Sequence, residues 1–248
     1  MVINAGSLTF QQLNDAIRKS QDQDIYIKNA LGQRFIAAGL GGRNLTIDGV
    51  PGNALGAYLN GCNITVNGNA QDAVGDTMND GEIVVHGNIG DAAGYAMRGG
   101  AMYIEGNAGY RAGIHMKAYR EKQPVIVIGG RAGSFIGEYQ AGGTIIVLGM
   151  NPKLASDAHG AQQEIVHNFA CTGMHGGRMF LRGDTSMVRF PDQVTTKTAS
   201  EQDVESIRPY LERFCFLFGH DLDTLLSSQY TLITPNSENP YKELYVAN

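Results

Sequence analysis

Between positions 159 and 184 the chain collects His159, His167, Cys171, His175 and Asp184. These are the side-chain types of a thiolate nucleophile with its base, or of a metal site. Their intervals of 8, 4, 4 and 9 residues match no recognised ligand spacing, and Cys171 sits in a glycine-rich stretch with Gly173, Gly176 and Gly177. A structural or interface role is therefore the reading adopted for them. Gly129-Gly130-Arg131-Ala132-Gly133-Ser134 resembles a phosphate loop but lacks the Gly-Lys-Ser/Thr ending and precedes no helical pattern, so it reads as a corner of the chain. Asp72, Asp76 and Asp91 imitate the carboxylates of a polysaccharide lyase or hydrolase. Such an enzyme is expected to carry a leader and aromatic sugar platforms, and this chain has no Trp and no basic, apolar leader at Met1–Gly6. The charged insertion Lys117-Ala118-Tyr119-Arg120-Glu121-Lys122 reads as a solvated protrusion or a docking knob.

The elements that position these residues follow from a repeat of 19. Gly49, Gly68, Gly87 and Gly106 form one column, and Gly56, Gly75, Gly94 and Gly113 a second. After a five-residue insertion the register resumes at Gly130, Gly137 and Gly149. A third, looser column runs through Gly42, Gly61, Gly99 and Gly142, with Asp80 and Gln123 in its gaps. A fixed period of this size means stacked units, none of which buries its apolar face alone. Within each unit Ile64 and Val66 alternate with Thr65, the period of a strand. Leu45, Ile64, Ile83, Met102, Ile126 and Ile145 stack in one inward column, with Ile47, Val66, Val85, Ile104, Ile128 and Val147 in the next. Leu55, Val74, Ala93, Ala112 and Ile136, and then Leu59, Met78, Met97 and Met116, point inward from the other half of the coil. The methionines are core, not a ligand groove. The sequence thus predicts an all-β solenoid, a right-handed single-stranded parallel β-helix with 19-residue coils plus short N- and C-terminal helices. Coils near 18 with a six-residue beat would be left-handed, and that beat is missing.

Two finer expectations follow. Asn69, Asn88 and Asn107 should form an amide ladder, each side chain bonded to the coil above and below. The outward column Thr46, Thr65, Val84, Tyr103, Val127 and Ile146 begins polar and turns apolar, so its later half must be covered by the chain's own ends or by another subunit. A partner there would bury roughly 1,600 Å².

The organisation expected is an N-terminal helical cap and degenerate first coil over 1–40, the parallel β-helix over 41–190, and a helical extension and tail over 191–248. Thr9-Phe10-Gln11-Gln12 is a capping box with Leu8 and Leu13 as its staple, predicting a helix over about residues 10–20. Asp24–Lys28 reads as a strand and Gly32–Gly39 as the degenerate coil. Asn151 to about Gln163 is a loop out of register, followed by strands at Ile165–Phe169 and Arg178–Arg182. From Ser200 the pattern Val204, Ile207, Leu211, Phe214 and Phe218 is helical, split at Pro209, with a short helix over Asp221–Ser227. The tail from Pro235 is polar and extended.

Composition narrows the function. The 248 residues carry a net charge of −5 with scattered basic residues, which disfavours nucleic acid. Cys62, Cys171 and Cys215 are odd in number and far apart, so reduced thiols in a cytoplasmic protein are expected. No run of 18 apolar residues would span a membrane.

The pattern Gly68…Gly75, Gly87…Gly94…Gly99 and Gly130…Gly137…Gly142 resembles the family named for its GXGXG motif, the C-terminal β-helix of the glutamate synthase large subunit. The stretches Gly130–Gly137, Gly142–Gly149 and Asn168–Gly177 carry the likeness, over roughly residues 25–225. The same repeat occurs in one of the subunits of formylmethanofuran dehydrogenase, which Gly94-Tyr95-Ala96-Met97-Arg98-Gly99-Gly100 also resembles. The glutamate synthase resemblance implies a scaffold without catalytic, cofactor-binding or metal residues of its own. FMN and iron–sulfur clusters would then belong to partner subunits, a glutaminase-type amidotransferase and an FMN-binding synthase, in a glutamate-synthase-like or N-methylglutamate-synthase-like complex. Self-association into a homo-oligomer is the further expectation. The alternatives are a scaffold subunit of a formylmethanofuran-dehydrogenase-like complex, or a β-helix hydrolase or lyase.

Overall fold

The computed structural model describes residues 1–150 and 164–236. In chain order the elements are β1 Val2–Asn4, α1 Phe10–Lys19, β2 Asp24–Leu31, β3 Asn44–Val50, β4 Asn60–Asn67, β5 Asp80–Val85, β6 Ala101–Ile104, β7 Val125–Ile128 and β8 Ala141–Val147. They continue with β9 Gly176–Arg182, β10 Val194–Thr198, α2 Glu201–Glu205, α3 Arg208–Phe218, α4 Leu222–Leu226 and β11 Tyr230–Pro235. All strands belong to one long open sheet in the order β1-β2-β3-β4-β5-β6-β7-β8-β9-β11-β10. Each neighbouring pair from β1 to β9 is parallel. β11 then runs antiparallel to both β9 and β10. The result is a mostly β, solenoid-like fold with few helices.

The register is that of the apolar columns. Leu45 pairs with Ile64, Ile64 with Ile83, Ile83 with Met102, Met102 with Ile126, Ile126 with Ile145 and Ile145 with Met179. All are buried. A slip of one residue would turn the whole apolar set outward, which is why the repeat pins the pairing. A second, thinner ladder runs through single parallel bridges from Ala70 to Ile89, Ala108, Ala132 and Val166.

The rest of each coil is a turn segment centred on Gly56, Gly75, Gly94, Gly113 or Gly137. Three alternate residues there are left-handed: Ala54, Gly56 and Tyr58 in one coil, Ala92, Gly94 and Ala96 two coils on. The alternation aims successive N–H groups at opposite neighbours. Ala73 and Thr77 donate to Asp91 and Tyr95 of the next coil, whereas Gly75 donates to Leu55 of the preceding one. Leu55, Val74, Ala93, Ala112 and Ile136 fill the interior beneath, with Leu59, Met78, Met97 and Met116, all fully buried. Gln140 occupies the next position of the methionine column; its amide donates to the carbonyls of Gly142 and Gly143, while its Oε1 lacks a partner.

The ends are built as their sequences suggest, with additions. Thr9 and Gln12 form the reciprocal capping box of α1. Phe35, Ala37 and Gly39 repeat the left-handed alternation of a coil, with Ile36 buried between them. Pro209 sits in the first turn of α3, where its missing N–H costs nothing, and so separates α2 from α3. Asp221 caps α4. The strand expected over Ile165–Phe169 is only a bridge at Val166 followed by the turn segment of the last coil. β1, β10 and β11 were not read from the sequence. The loop 151–163 and the tail from 237 lie outside the described residues.

The outward apolar column needs no second chain. Tyr103, Val127, Ile146 and Phe180 form a second core with Ile207, Leu211, Phe214 and further residues of the C-terminal elements. Val127 and Ile146 are fully buried. Arg213 of α3 pins this cover to β5 by a two-pronged pair with Glu82, at 2.9 and 2.5 Å. The expected partner interface at Val127 and Ile146 is thus corrected: the chain's own helices fill it.

Candidate functional site

The His/Cys group near the last coil is dispersed. His159 lies outside the described residues. Cys171 is fully buried, 3.7 Å from Met179 Sδ, in a left-handed backbone at φ 61°. Burial pushes its thiol up to about 12, the reverse of what a nucleophile needs. The Nδ1 of His175 lies 3.0 Å from the carbonyl of Gly173. Asp184 accepts from the N–H of Ser186, which holds its carboxyl below the ordinary range. His167 is exposed and lines a cleft of about 420 Å³ with Glu164, Phe169 and Arg189. Among the described residues no three His, Cys, Asp or Glu side chains lie close enough to hold a metal ion.

The glycine loop at 129–134 is a corner. Its backbone donors are already engaged: Arg131 N–H to Asn107 Oδ1 at 2.8 Å, and Ala132 N–H to the carbonyl of Ile165 at 3.1 Å. Nothing is left over to cradle a phosphate.

The Asn column is a ladder, but of a different make from the one expected. Asn69 Oδ1 accepts the backbone N–H of Asn88, Asn88 Oδ1 that of Asn107, and Asn107 Oδ1 that of Arg131. Side chain joins backbone here, not amide to amide. A parallel ladder, missed in the sequence, uses the supposed lyase carboxylates. Asn53 Oδ1 accepts from Asp72 N–H, Asp72 Oδ1 from Asp91 N–H at 2.9 Å, and Asp91 Oδ1 from Tyr110 N–H at 2.8 Å. The 19-residue interval shared by Asn53, Asp72 and Asp91 was the signal available for it. Asp76 accepts from Thr77 Oγ1.

The knob folds back. Tyr119 and Lys122 bridge each other, and Lys122 pairs with Asp80 at 2.7 Å. What stands out instead is the turn face of the later coils. His115 stacks on Tyr139 at 5.2 Å and meets Tyr95 edge-on at 5.8 Å. Beside them Arg111 lies over Phe135, which stacks on Phe169 at 4.9 Å. Tyr58, Tyr95, Tyr110, Tyr139 and Phe169 are all exposed. A surface rich in Tyr, Phe and Arg is the composition of a protein contact.

The model of the GXGXG motif family matches residues 18–236, most of this architecture. The chain belongs to the GXGXG motif family. The uncharacterized protein MJ1350 of Methanocaldococcus jannaschii is 44% identical over 255 residues, covering 99% of this chain and 96% of the relative. A chain of the formyltransferase/hydrolase complex FhcABCD from Methylorubrum extorquens, solved with methylofuran, superposes with a TM-score of 0.65 over 92% of this chain and 89% of its own, at 20% identity. That likeness is one of fold. In GXGXG terms, the motif glycines are the left-handed centres Gly56, Gly75, Gly94, Gly113 and Gly137 and the close-packed corners Gly87, Gly106 and Gly130. No helix among the described residues is long and apolar enough to cross a membrane.

Proposed function

We propose that this chain is a non-catalytic scaffold subunit of a cytoplasmic multi-subunit oxidoreductase, of the glutamate-synthase-like or N-methylglutamate-synthase-like kind. It would hold a glutaminase-type amidotransferase subunit against an FMN-binding, iron–sulfur synthase subunit. On this reading the chain has no catalytic, cofactor-binding or metal residue, and the flavin and clusters belong to the partners. Its frame is the right-handed β-helix over 41–190 between the N-terminal cap 1–40 and the C-terminal extension 191–248. The observation that supports the reading is how the chemically able side chains are spent. Asp72 and Asp91 join coils, Cys171 is sealed in the core, and His175 lies against its own turn. An outer surface of exposed aromatics remains, suited to contact.

A second reading, a scaffold in a formylmethanofuran-dehydrogenase-like complex, is favoured by the likeness to a chain of FhcABCD. The two differ in what co-purifies. The chain is tagged in its native cell, isolated gently, and the accompanying subunits and absorbance spectrum recorded. A flavin spectrum with an amidotransferase is expected; companions of the formyltransferase/hydrolase type would support the second reading. The chain purified alone should be colourless and without turnover on glutamine. Stoichiometric flavin or iron in that sample would overturn the scaffold reading.

A further inference from the structure

The turn segments share one outer surface whose charge changes sign along the solenoid. Its middle is the coil of Ala92 and Ala96. One coil before it, 19 residues back, lie Ala73 and Thr77; one coil after it, 19 residues on, lie Arg111 and His115. The earlier coil carries Asp72 and Asp76, and the later one Arg111 and Lys117. The middle coil carries one of each, Asp91 at its start and Arg98 at its end. Asp72, Asp91, Arg98, Arg111 and Lys117 are exposed and Asp76 is half-buried. Asp72, Asp76, Asp91, Arg98 and Lys117 form no ion pair among the described residues. The central side chains Ala73, Thr77, Ala92 and Ala96 are small, so a second backbone can come close.

A two-fold axis through the middle coil reverses both directions on this face. The coil before then meets the coil after, and the start of each turn segment meets the end of its copy. Under that operation Asp91 faces Arg98 of the second copy, Asp72 faces Lys117, and Asp76 faces Arg111, and every pairing occurs twice. Ala92 lies against Ala96. Tyr58, two coils before the middle, comes to Phe135, two coils after it. Laying the two faces together with their coils running the same way brings like charges together, Asp72 and Asp76 on the same pair of the copy. We propose that this turn face is the contact between two copies of the chain, antiparallel about a two-fold axis at the Ala92–Ala96 coil. The inference stands apart from which other subunits the chain serves.

The test uses the full chain. Sedimentation should show a dimer at about 0.05 M salt and at least about tenfold weaker association at about 0.5 M, where exposed charges are screened. Arg98→Glu with Lys117→Glu should be monomeric. Asp72→Asn, Asp76→Asn and Asp91→Asn together should dimerise weakly; Asn keeps the oxygen that accepts the next coil's N–H, as Asn53 and Asn69 do. Mixing the two variants should restore pairing. For register, Ala92→Cys mixed with Ala96→Cys should cross-link, and neither alone. A wild-type monomer at low salt, a dimer that survives Arg98→Glu with Lys117→Glu, or a mixture that neither pairs nor cross-links would each overturn the proposal.

Discussion

Two glycines of the repeat show how differently one residue type is required. At Gly94, φ is +67° and an added Cβ would stand 2.5 Å from Ile126 Cδ1, so both the backbone and the interior reject a side chain. Gly87 is not in the left-handed region. Its reason is contact: a Cβ there would meet Asn69 Oδ1 at 2.4 Å and the carbonyl of Gly68 at 2.7 Å, breaking into the Asn ladder. Reading both as left-handed corners was therefore right for Gly94 only. Gly87→Val and Gly94→Val should each cost roughly 2–5 kcal/mol by strain and overpacking, read as a lower urea midpoint. Gly94→Ala should also be harmful, because the conformation itself is strained for any Cβ. A Gly94→Ala midpoint equal to wild type would show that the turn does not hold the shape described. The ladder atoms were half legible: the Asn column stood out by its period, but whether an amide bonds its neighbour's side chain or backbone depends on how far the corner glycines let the coils approach.

At the scale of elements, the period read the strands well because one constraint recurs from strand to strand along the sheet, and each parallel pairing reinforces the next. The terminal elements repeat nothing, and there the reading thinned. β1, β10 and β11 carry no column to align them, and pairing of β11 with β9 joins segments about fifty residues apart. The apolar outer column was legible, but its cover was not, since Leu211 and Phe214 mark a helix face without naming what it lies on. With the cover known, the expectation at Val127 changes kind. Val127→Glu buries a charge beneath α3 and should lower stability by about 3 kcal/mol or more, with the oligomeric state of the folded fraction unchanged. Phe214→Ala should cost about 3–5 kcal/mol, its ring being fully buried in the same seam. Phe216, two residues further on and 80% exposed, is the control: Phe216→Ser should stay within about 0.5 kcal/mol. Equal effects at 214 and 216 in thermal unfolding would mean that α3 does not lie on the sheet by this face.

Across the whole molecule the buried ionisable groups make one prediction about pH. Burial pushes the thiol of Cys62 up to about 11 and that of Cys171 up to about 12, and raises the phenols of Tyr103 and Tyr230 as well. The sign follows from which state releases protons first. In the unfolded chain a thiol ionises near pH 8.5 and is then stabilised by water, while the folded chain holds it neutral to a much higher pH. Between these values the folded state binds more protons, so stability is fully present below about pH 8.5 and falls as pH rises toward 11–12. Two thiols, each shifting the balance by about 1.4 kcal/mol per pH unit, remove on the order of 3–4 kcal/mol by about pH 10. Urea midpoints measured at about pH 7.5 and about pH 10 should therefore differ clearly. The phenols add to the loss only at higher pH, because a free phenol ionises near 10. Cys62→Ala with Cys171→Ala separates this cause from general alkaline damage: the variant is weaker at neutral pH for its lost packing, yet its decline toward pH 10 should be shallower than that of the parent. A decline just as steep without the two thiols would place the alkaline sensitivity in the ion pairs that tie the helical cover to the sheet.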